Sequence, residues 1–486
     1  MNLKKLLGSL KKNEFLSSSV LFIFASFLLK GISFLTTPIF TRLMGSADYG
    51  AVSNFLTYAN ILTTFFFLQV SSGLLAAKVN HAPERFDSYV KNVTLFALLP
   101  AVVFSILLFL FRAPVSGVIR VREDLVPLIF VMAFGLSMNN LLSSYFIANG
   151  QPKQKVAYSI VSSLGIVFIG LLFVFFFSDK SAGRIVGYAV SYALVALFGY
   201  CLILRPKGVD KKNFRGDIKY ALGFGLPLIP HLLANLVNGS ADKIFIVSIC
   251  GESANGIYTI AYNIGQLALV FASACADAWN PWYFKETKAL DTAEDQREGT
   301  RRIARYFTLY AMTIGMCFVG VMLLAPEIMK LMAPQEYWSG TACILYVALG
   351  VFFLFLYRFP LGYEQLRSNT KLVAPATILA ALVNVGLNAF LIPRYGIDGA
   401  AIATTVSYVV LFLFHEFVAR RIVKGYNVRP RTYLLPTVTV LAGFGVAQLF
   451  LDHFVIRLVL LVLFCLFYLF YCLSAVKGNK NTSKGE

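Results

Sequence analysis

An all-α integral membrane fold follows from three properties of the chain: its apolar content, the recurrence of bilayer-length apolar runs, and the sidedness of its basic residues. Of 486 residues, 58% are hydrophobic and 14% charged, roughly half the charged share of a globular domain. Apolar runs of about 20 residues recur along the whole length, each long enough to cross the hydrocarbon as a helix. The expected architecture is about fourteen transmembrane helices, forming two parallel-repeat six-helix lobes around a central cavity plus two C-terminal helices.

The spans are expected at about 17–40, 47–73, 89–111, 124–148, 155–178, 183–204, 220–250, 254–281, 303–325, 339–363, 371–392, 397–419, 432–451 and 454–475. With a cytoplasmic N-terminus, 31 of the 43 Lys and Arg fall in or beside inside loops and 9 outside, leaving Lys30, Lys243 and Arg358 within spans. That is the positive-inside pattern, and it puts both termini in the cytoplasm. Lys4, Lys5, Lys11 and Lys12, followed by the apolar run Ser17–Phe40, imitate a signal peptide. The run is too long and lacks a small-residue cleavage site, so it reads as a retained first span.

The net charge of +19 is spent on this topology and suits anionic lipid head groups. No clustered soluble domain carries it, which argues against nucleic acid. The seven cysteines lie in or at the edges of spans without a CxxC. They read as small buried hydrophobes.

An internal repeat organises the chain. TRLMGSADYGAVS (41–53) parallels VSICGESANGIYT (247–259) with Gly45/Gly251 and Gly50/Gly256 in register at an offset of 206. KVAYSI…GRIVGYAVSY (155–192) parallels KLVAPA…GAAIATTVSY (371–408) at an offset of 216. Both matches are six spans apart, so the halves share one orientation, as in parallel-repeat transporters. Residues 1–204 make an N-terminal lobe, 205–219 a basic cytoplasmic linker, 220–420 a C-terminal lobe, and 421–486 two further spans and a cytoplasmic tail.

The opening helices of the two halves carry polar stripes. His231, Asn235, Asn238 and Asp242 share one helical face, as do Asn255, Tyr262, Gln266, Ser273 and Asp277 on the next span. Ser26, Lys30, Ser33 and Thr37 repeat the pattern on the first span. An unpaired polar group in hydrocarbon is costly, so such stripes line protein or water. Pro38, Pro227 and Pro230 free backbone carbonyls and allow bends in these helices.

TRLMGSADYG, GLPLIP…ADKIFI with GIYTIAY and AWNPWYF, and NTK…VNVGLNAFLIPRYGIDGAAIATTVSY at 369–408 resemble the polysaccharide biosynthesis proteins. These are the Wzx-like oligosaccharide flippases of the multidrug/oligosaccharidyl-lipid/polysaccharide exporter superfamily. The resemblance implies a two-lobed bundle around a cavity, moving undecaprenyl-pyrophosphate-linked oligosaccharide across the bacterial inner membrane for capsule, O-antigen or exopolysaccharide. It implies a pyrophosphate contact on the first helix, in the region of Lys30.

Moving such a head group needs cations in the membrane and a wet polar path. Lys30 lies near mid-bilayer, as a phosphate contact or a structural ion pair. Arg358 either clamps phosphate bidentately or snorkels. Ser26, Ser33, Asn235, Asn238, Tyr262 and Gln266 are the remaining substrate-binding candidates, with Tyr258 and Tyr262 suited to sugar stacking or to packing. Asp242, Asp277 and His231 are candidates for ion coupling or pairing. Asp277 sits beside Trp279 and Trp282, an interfacial signature. Asp242 and Lys243, being adjacent, do not face each other. Arg42 is expected to pin the hairpin after the first span.

No P-loop, HExxH or GxSxG is present, and His81, His231, His415 and His453 are scattered. No enzyme, cofactor or metal is expected. The expected partners are the lipid-linked glycan, membrane lipids, a coupling Na⁺ or H⁺, and the polymerase and glycosyltransferases of the same pathway. The rival of like fold is a Na⁺- or H⁺-coupled exporter of drugs or metabolites. A membrane glycosyltransferase, polymerase or ligase would need a large external loop, which is missing.

Overall fold

The computed structural model describes residues 28, 31–32, 34–80, 83–204, 212–288, 293–366, 372–422 and 428–482. Among them every regular element is a helix, and the chain divides into two compact units, Met1–Gly256 and Ile257–Glu486.

The first unit contains α1 (34–43), α2 (Ser46–Phe66), α3 (Leu74–Asn80), α4 (Pro83–Leu110), α5 (Arg112–Ile119), α6 (Val126–Ala148), α7 (Pro152–Phe176), α8 (Lys180–Gly199) and α9 (Phe214–Cys250). It closes with the first turn of α10 (Glu252–Gly265). The second holds the rest of α10, then α11 (Leu267–Lys288), α12 (Ala293–Leu323), α13 (Ala325–Met332), α14 (Thr341–Leu356), α15 (Arg358–Leu366), α16 (Val373–Ile422), α17 (Arg431–Leu449) and α18 (Phe454–Thr482).

Among the described residues eleven helices are long and apolar enough to cross a bilayer, or twelve if one bent pair is a single span. Fourteen were expected. The 17–40 span lies mostly outside the described residues. The spans at 371–392 and 397–419 are joined in α16, a 49-residue apolar stretch that as a straight helix would run about 74 Å. It is a hairpin instead. Gly396 is non-helical at φ 55°, ψ −134°, and the Asn384 side chain reaches Thr404 Oγ1 at 3.5 Å, where a straight helix would separate them by about 30 Å.

Apolar side chains point outward as much as inward. Phe168, Phe175 and Phe176 on α7, and Val455 and Phe470 on α18, are exposed, as suits helices solvated by acyl chains. Without a hydrophobic drive between helices, contacts rest on close packing of small residues. Gly187 of α8 faces Gly170 of α7 so closely that an added Cβ would sit 2.9 Å from the Gly170 Cα.

Two expected spans are interrupted. The 47–73 span breaks after α2, where Leu68 and Gln69 take φ of 46° and 56°, and the chain bends by 57° before α3. Left-handed backbone costs a non-glycine residue on the order of 1 kcal/mol. Packing from α9 holds it, since a Cβ on Gly225 would overlap the Leu68 carbonyl oxygen. The 254–281 span is likewise two helices, α10 and α11, separated at Gln266. By contrast α9 runs helical through Pro227 and Pro230.

The cysteines are free thiols, but Cys343 alone of the seven is buried. Cys201, Cys250 and Cys465 are exposed and the other three half-buried, so they are not the uniformly buried residues expected.

Candidate functional site

Of the sequence-predicted residues, Ser26, Lys30 and Ser33 lie outside the described residues, as do the side chains of Asn238 and Asp277. The others fall in two groups, one in each unit.

In the first unit the α9 stripe begins with a local pair, His231 Nε2 and Asn235 Nδ2 at 3.1 Å. Asn235 is exposed and His231 half-buried. One turn beyond Asn238, Asp242 is buried, and its Oδ1 accepts the Lys243 backbone N–H at 2.8 Å. The two side chains leave the helix in different directions, as adjacency dictates.

Both ends of α9 are tied to earlier helices. At its start, buried Asp217 accepts from Arg85 Nη2 at 2.6 Å and Asn92 Nδ2 at 2.8 Å, both on α4. Near its far end the Val247 carbonyl accepts from Arg120 Nη1 at 3.2 Å. The hairpin that follows packs on α2: Ser46 and Ser253 hydroxyls meet at 2.7 Å, and buried Asn255 donates to the Gly50 carbonyl at 2.8 Å. Asn255, placed on a lining stripe by its spacing, is here a packing residue. Arg42 donates to the Pro38 carbonyl at 2.9 Å, fastening the end of α1.

A cation at the end of an expected span is buried in this unit. Arg184 of α8 is buried, with its guanidinium 3.7 Å from the Phe40 ring centroid and 3.0 Å from the Tyr188 hydroxyl. The run GRIVGYAVSY held the signal: an arginine at the head of an apolar span, four residues before a tyrosine. Arg457 is the second such case. It is buried at the start of α18, reaching Glu327 at 2.7 Å through both guanidinium nitrogens, and also the Leu323 carbonyl. Its donors are occupied, which makes it a structural bolt.

In the second unit Gln266 occupies the break between α10 and α11 and is half-buried. Its backbone stays paired through the break, the N–H donating to the Tyr262 carbonyl at 3.1 Å and the carbonyl accepting from Leu269 N–H at 2.9 Å. Tyr258 and Tyr262 lie just before it, but both are buried with ring centroids 5.7 Å apart. They pack, and offer a sugar little surface. Arg358 opens α15, directly after α14 stops at Tyr357, and is exposed. Among the described residues it makes no ion pair, so its charge is available to an anion. Trp279 and Trp282 are 5.0 Å apart and join Tyr283, Phe307 and Tyr310 in an aromatic cluster.

Two buried polar groupings here had no place in the sequence reading. Asn384 and Asn388 of α16 bond to each other at 2.9 Å. His415 Nδ1 lies 2.9 Å from Glu364 Oε1, with both side chains buried. The four-residue Asn spacing could have flagged the first. His415 and Glu364 are 51 residues apart and gave no local signal.

These are the features of a polytopic helical transporter: interrupted spans, intramembrane cations, and polar groups confined to helix faces. Comparison with known proteins assigns the family. The sequence model for "Polysaccharide biosynthesis protein" matches residues 16–286, and the chain belongs to that family. It is 25% identical over 441 residues to an uncharacterized membrane protein of Methanocaldococcus jannaschii, covering 84% of this chain and 98% of the relative. It is 20% identical over 401 residues to the probable low-salt glycan biosynthesis flippase Agl15 of Haloferax volcanii, 82% of each chain. Among solved structures, the lipid II flippase MurJ in an inward closed conformation superposes with a TM-score of 0.64 at 16% identity, covering 93% of this chain and 98% of that one. An inward-facing multidrug resistance MATE family transporter of the MOP superfamily gives 0.63 at 16% identity, covering 81% and 93%. The fold is therefore the one these two structures share.

Proposed function

We propose that the protein is a flippase for undecaprenyl-pyrophosphate-linked oligosaccharide, working by alternating access in the bacterial inner membrane with both termini cytoplasmic. Its product feeds a surface polysaccharide: capsule, O-antigen or exopolysaccharide. The observation that carries the reading is the family match over residues 16–286. The likeness to the glycan flippase of Haloferax volcanii supports it. Fold alone does not choose between flippase and exporter, because MurJ and the MATE transporter superpose almost equally well.

In this reading Lys30 and Arg358 meet the phosphates, because a diphosphate entering the membrane must exchange hydration for cationic partners. Ser26, Ser33, Asn235, Asn238 and Gln266 offer hydrogen bonds to sugar hydroxyls, and Tyr262 joins them if its ring is uncovered when the lining opens. Asp242, Asp277 and His231 are the groups through which Na⁺ or H⁺ couples to transport. The chain's own work is binding and reorientation, with no bond made or broken. The polyprenyl tail stays in lipid, and polymerase and glycosyltransferases act before and after.

The test is transbilayer movement of a fluorescent polyprenyl-pyrophosphate oligosaccharide in proteoliposomes. The protein should accelerate it well above empty vesicles, and Lys30→Ala should abolish the gain. A rate equal to that of empty vesicles would sink the proposal. A wild-type rate in Lys30→Ala would remove that residue from the site while leaving the function standing.

A further inference from the structure

The antiparallel seam between α7 and α8 is closed at one end and hollow along the rest. At the closed end an added Cβ on Gly187 would sit 2.9 Å from the Gly170 Cα, and the Arg184 guanidinium fills the space that a side chain on Gly170 would take. From there to the start of α7 runs a groove of about 610 Å³, lined by Tyr158, Val161 and Gly165 of α7 and Leu194 and Phe198 of α8, with Phe146 of α6 beside them. Val161 is 70% exposed, Leu194 52% and Phe198 45%, so the groove opens on the outside of the helix pair.

Along the groove the polar side chains are spent on protein partners. The Tyr158 hydroxyl donates to Asn139 Oδ1 at 2.7 Å and accepts from Ser162, while Ser191 donates to the Gly187 carbonyl at 2.7 Å. The Tyr158 and Phe198 rings stack at 5.7 Å. What remains to line the space is hydrocarbon, which offers hydroxylated cargo little, whereas an alkyl chain recovers the dispersion contacts that an unfilled gap forfeits. Gly165 lies midway, where an added Cβ would meet nothing within 4 Å among the described residues. Glycine inside a helix is destabilising, and no close helix contact there calls for it. Its effect is to keep the groove deep.

The length of the groove selects its occupant. Gln154 and Ile169 mark its ends on α7, about 22 Å apart along a helix. The hydrocarbon of one leaflet is about 15 Å deep. A chain can therefore run from the head-group boundary through a single leaflet before the Gly170–Gly187 contact stops it. A prenyl chain of many isoprene units would overrun that stop. Lys153 and Lys155 flank Gln154 at the open end, where basic residues attract an anionic head group. We infer that this groove binds one acyl chain of an anionic bilayer phospholipid, with the phosphate at the Lys153–Lys155 end. The site stands or falls independently of the transported cargo.

Photolabelling tests the assignment. The full-length protein is reconstituted in liposomes of phosphatidylethanolamine and phosphatidylglycerol, doped with a phosphatidylglycerol that carries a diazirine in its acyl chain, and labelled peptides are mapped by mass spectrometry. Peptides of the groove should carry at least fivefold more label than those of α18, where Val455 and Phe470 are exposed. Gly165→Phe places a ring in the groove without displacing a described neighbour. It should lower the groove label at least fivefold and leave the α18 label unchanged. Groove labelling no greater than that of α18 means passing lipid only, and overturns the site even if the variant fails to fold. Undiminished groove label in folded Gly165→Phe overturns it as well. Displacement of the label by a polyprenyl phosphate, but not by excess unlabelled phosphatidylglycerol, would give the groove to a prenyl carrier and overturn the acyl-chain assignment.

Discussion

Gly50 and Gly256 are in reciprocal contact: a Cβ added to Gly50 would overlap the carbonyl oxygen of Glu252, and one added to Gly256 would overlap that of Ser46. The repeat offset of 206 carries Ser46 onto Glu252 and Gly50 onto Gly256, so exchanging the two segments reproduces the contact. A self-complementary contact of this kind is what two-fold symmetry produces. Glycine is required on both sides because backbone meets backbone.

A contact this close must part if the two segments separate during transport. Ser46→Cys/Ser253→Cys, at positions whose hydroxyls stand 2.7 Å apart, should form a disulfide under mild oxidation. The oxidised protein should flip lipid at the rate of empty liposomes and recover with dithiothreitol. Full activity in the cross-linked protein would show that the contact stays closed throughout the cycle.

The opposite end of α9 gives a second prediction. Asp217→Ala leaves Arg85 and Asn92 without their shared acceptor, in a place where Asp217 is buried. Orphaned donors cost about 1–3 kcal/mol. Thermal unfolding in detergent should show a lower midpoint for this variant, with a smaller loss for Asp217→Asn. An unchanged midpoint in Asp217→Ala would mean that the tie contributes nothing to stability.

Helix class and membrane character were legible because they depend on composition and run length, which are local properties. The Gly50/Gly256 register was legible because a tight backbone approach demands glycine at both repeats. The break at Leu68 and Gln69 was not: no proline or glycine marks it, and α9 imposes it from more than 150 residues away. The burial of Arg184 and Arg457 was not legible for a related reason. A hydropathy reading assigns a terminal arginine to the loop, whereas burial depends on whether Phe40, Tyr188 or Glu327 arrives to receive it. Of the candidate site, Asn235, Gln266 and Arg358 face accessible surface, whereas Tyr262 is buried behind Tyr258. Spacing fixes a face, but what covers that face is a tertiary property.

Glu327 provides a pH-dependent prediction outside the spans. Hydrogen bonds from Arg457 are the main cause holding its carboxyl below the ordinary 4.5, against the opposing effect of partial burial. A depressed pKa means that the folded state favours the carboxylate. The pair's stabilisation is therefore present above about pH 4.5 and lost as pH falls through the lowered value. Glu327→Gln should unfold at a lower temperature than wild type at pH 7, with the gap constant down to about pH 4.5 and closing below it. A gap independent of pH would assign the effect to packing.

The buried pair His415 and Glu364 supports the last prediction, which separates a structural role from a functional one. Their side chains are 1% and 0% exposed. Among the described residues His415 Nε2 and Glu364 Oε2 have no hydrogen-bond partner. Tyr357 packs on the imidazole at 5.5 Å, and the neighbouring Glu416 accepts from Tyr433 at 2.9 Å and pairs with Arg420. Removing one member of a buried pair leaves the other unsatisfied, at about 3–5 kcal/mol where a charge is stranded. Replacing both by apolar groups of similar shape is close to neutral. His415→Leu and Glu364→Met should each lower the unfolding midpoint sharply, and the double variant should regain most of the loss. If the regained protein also flips lipid at the wild-type rate, the pair is a packing device. If it is stable but inactive, the pair serves the transport cycle. Double-variant stability no better than the worse single variant would show that the two side chains do not act as a pair.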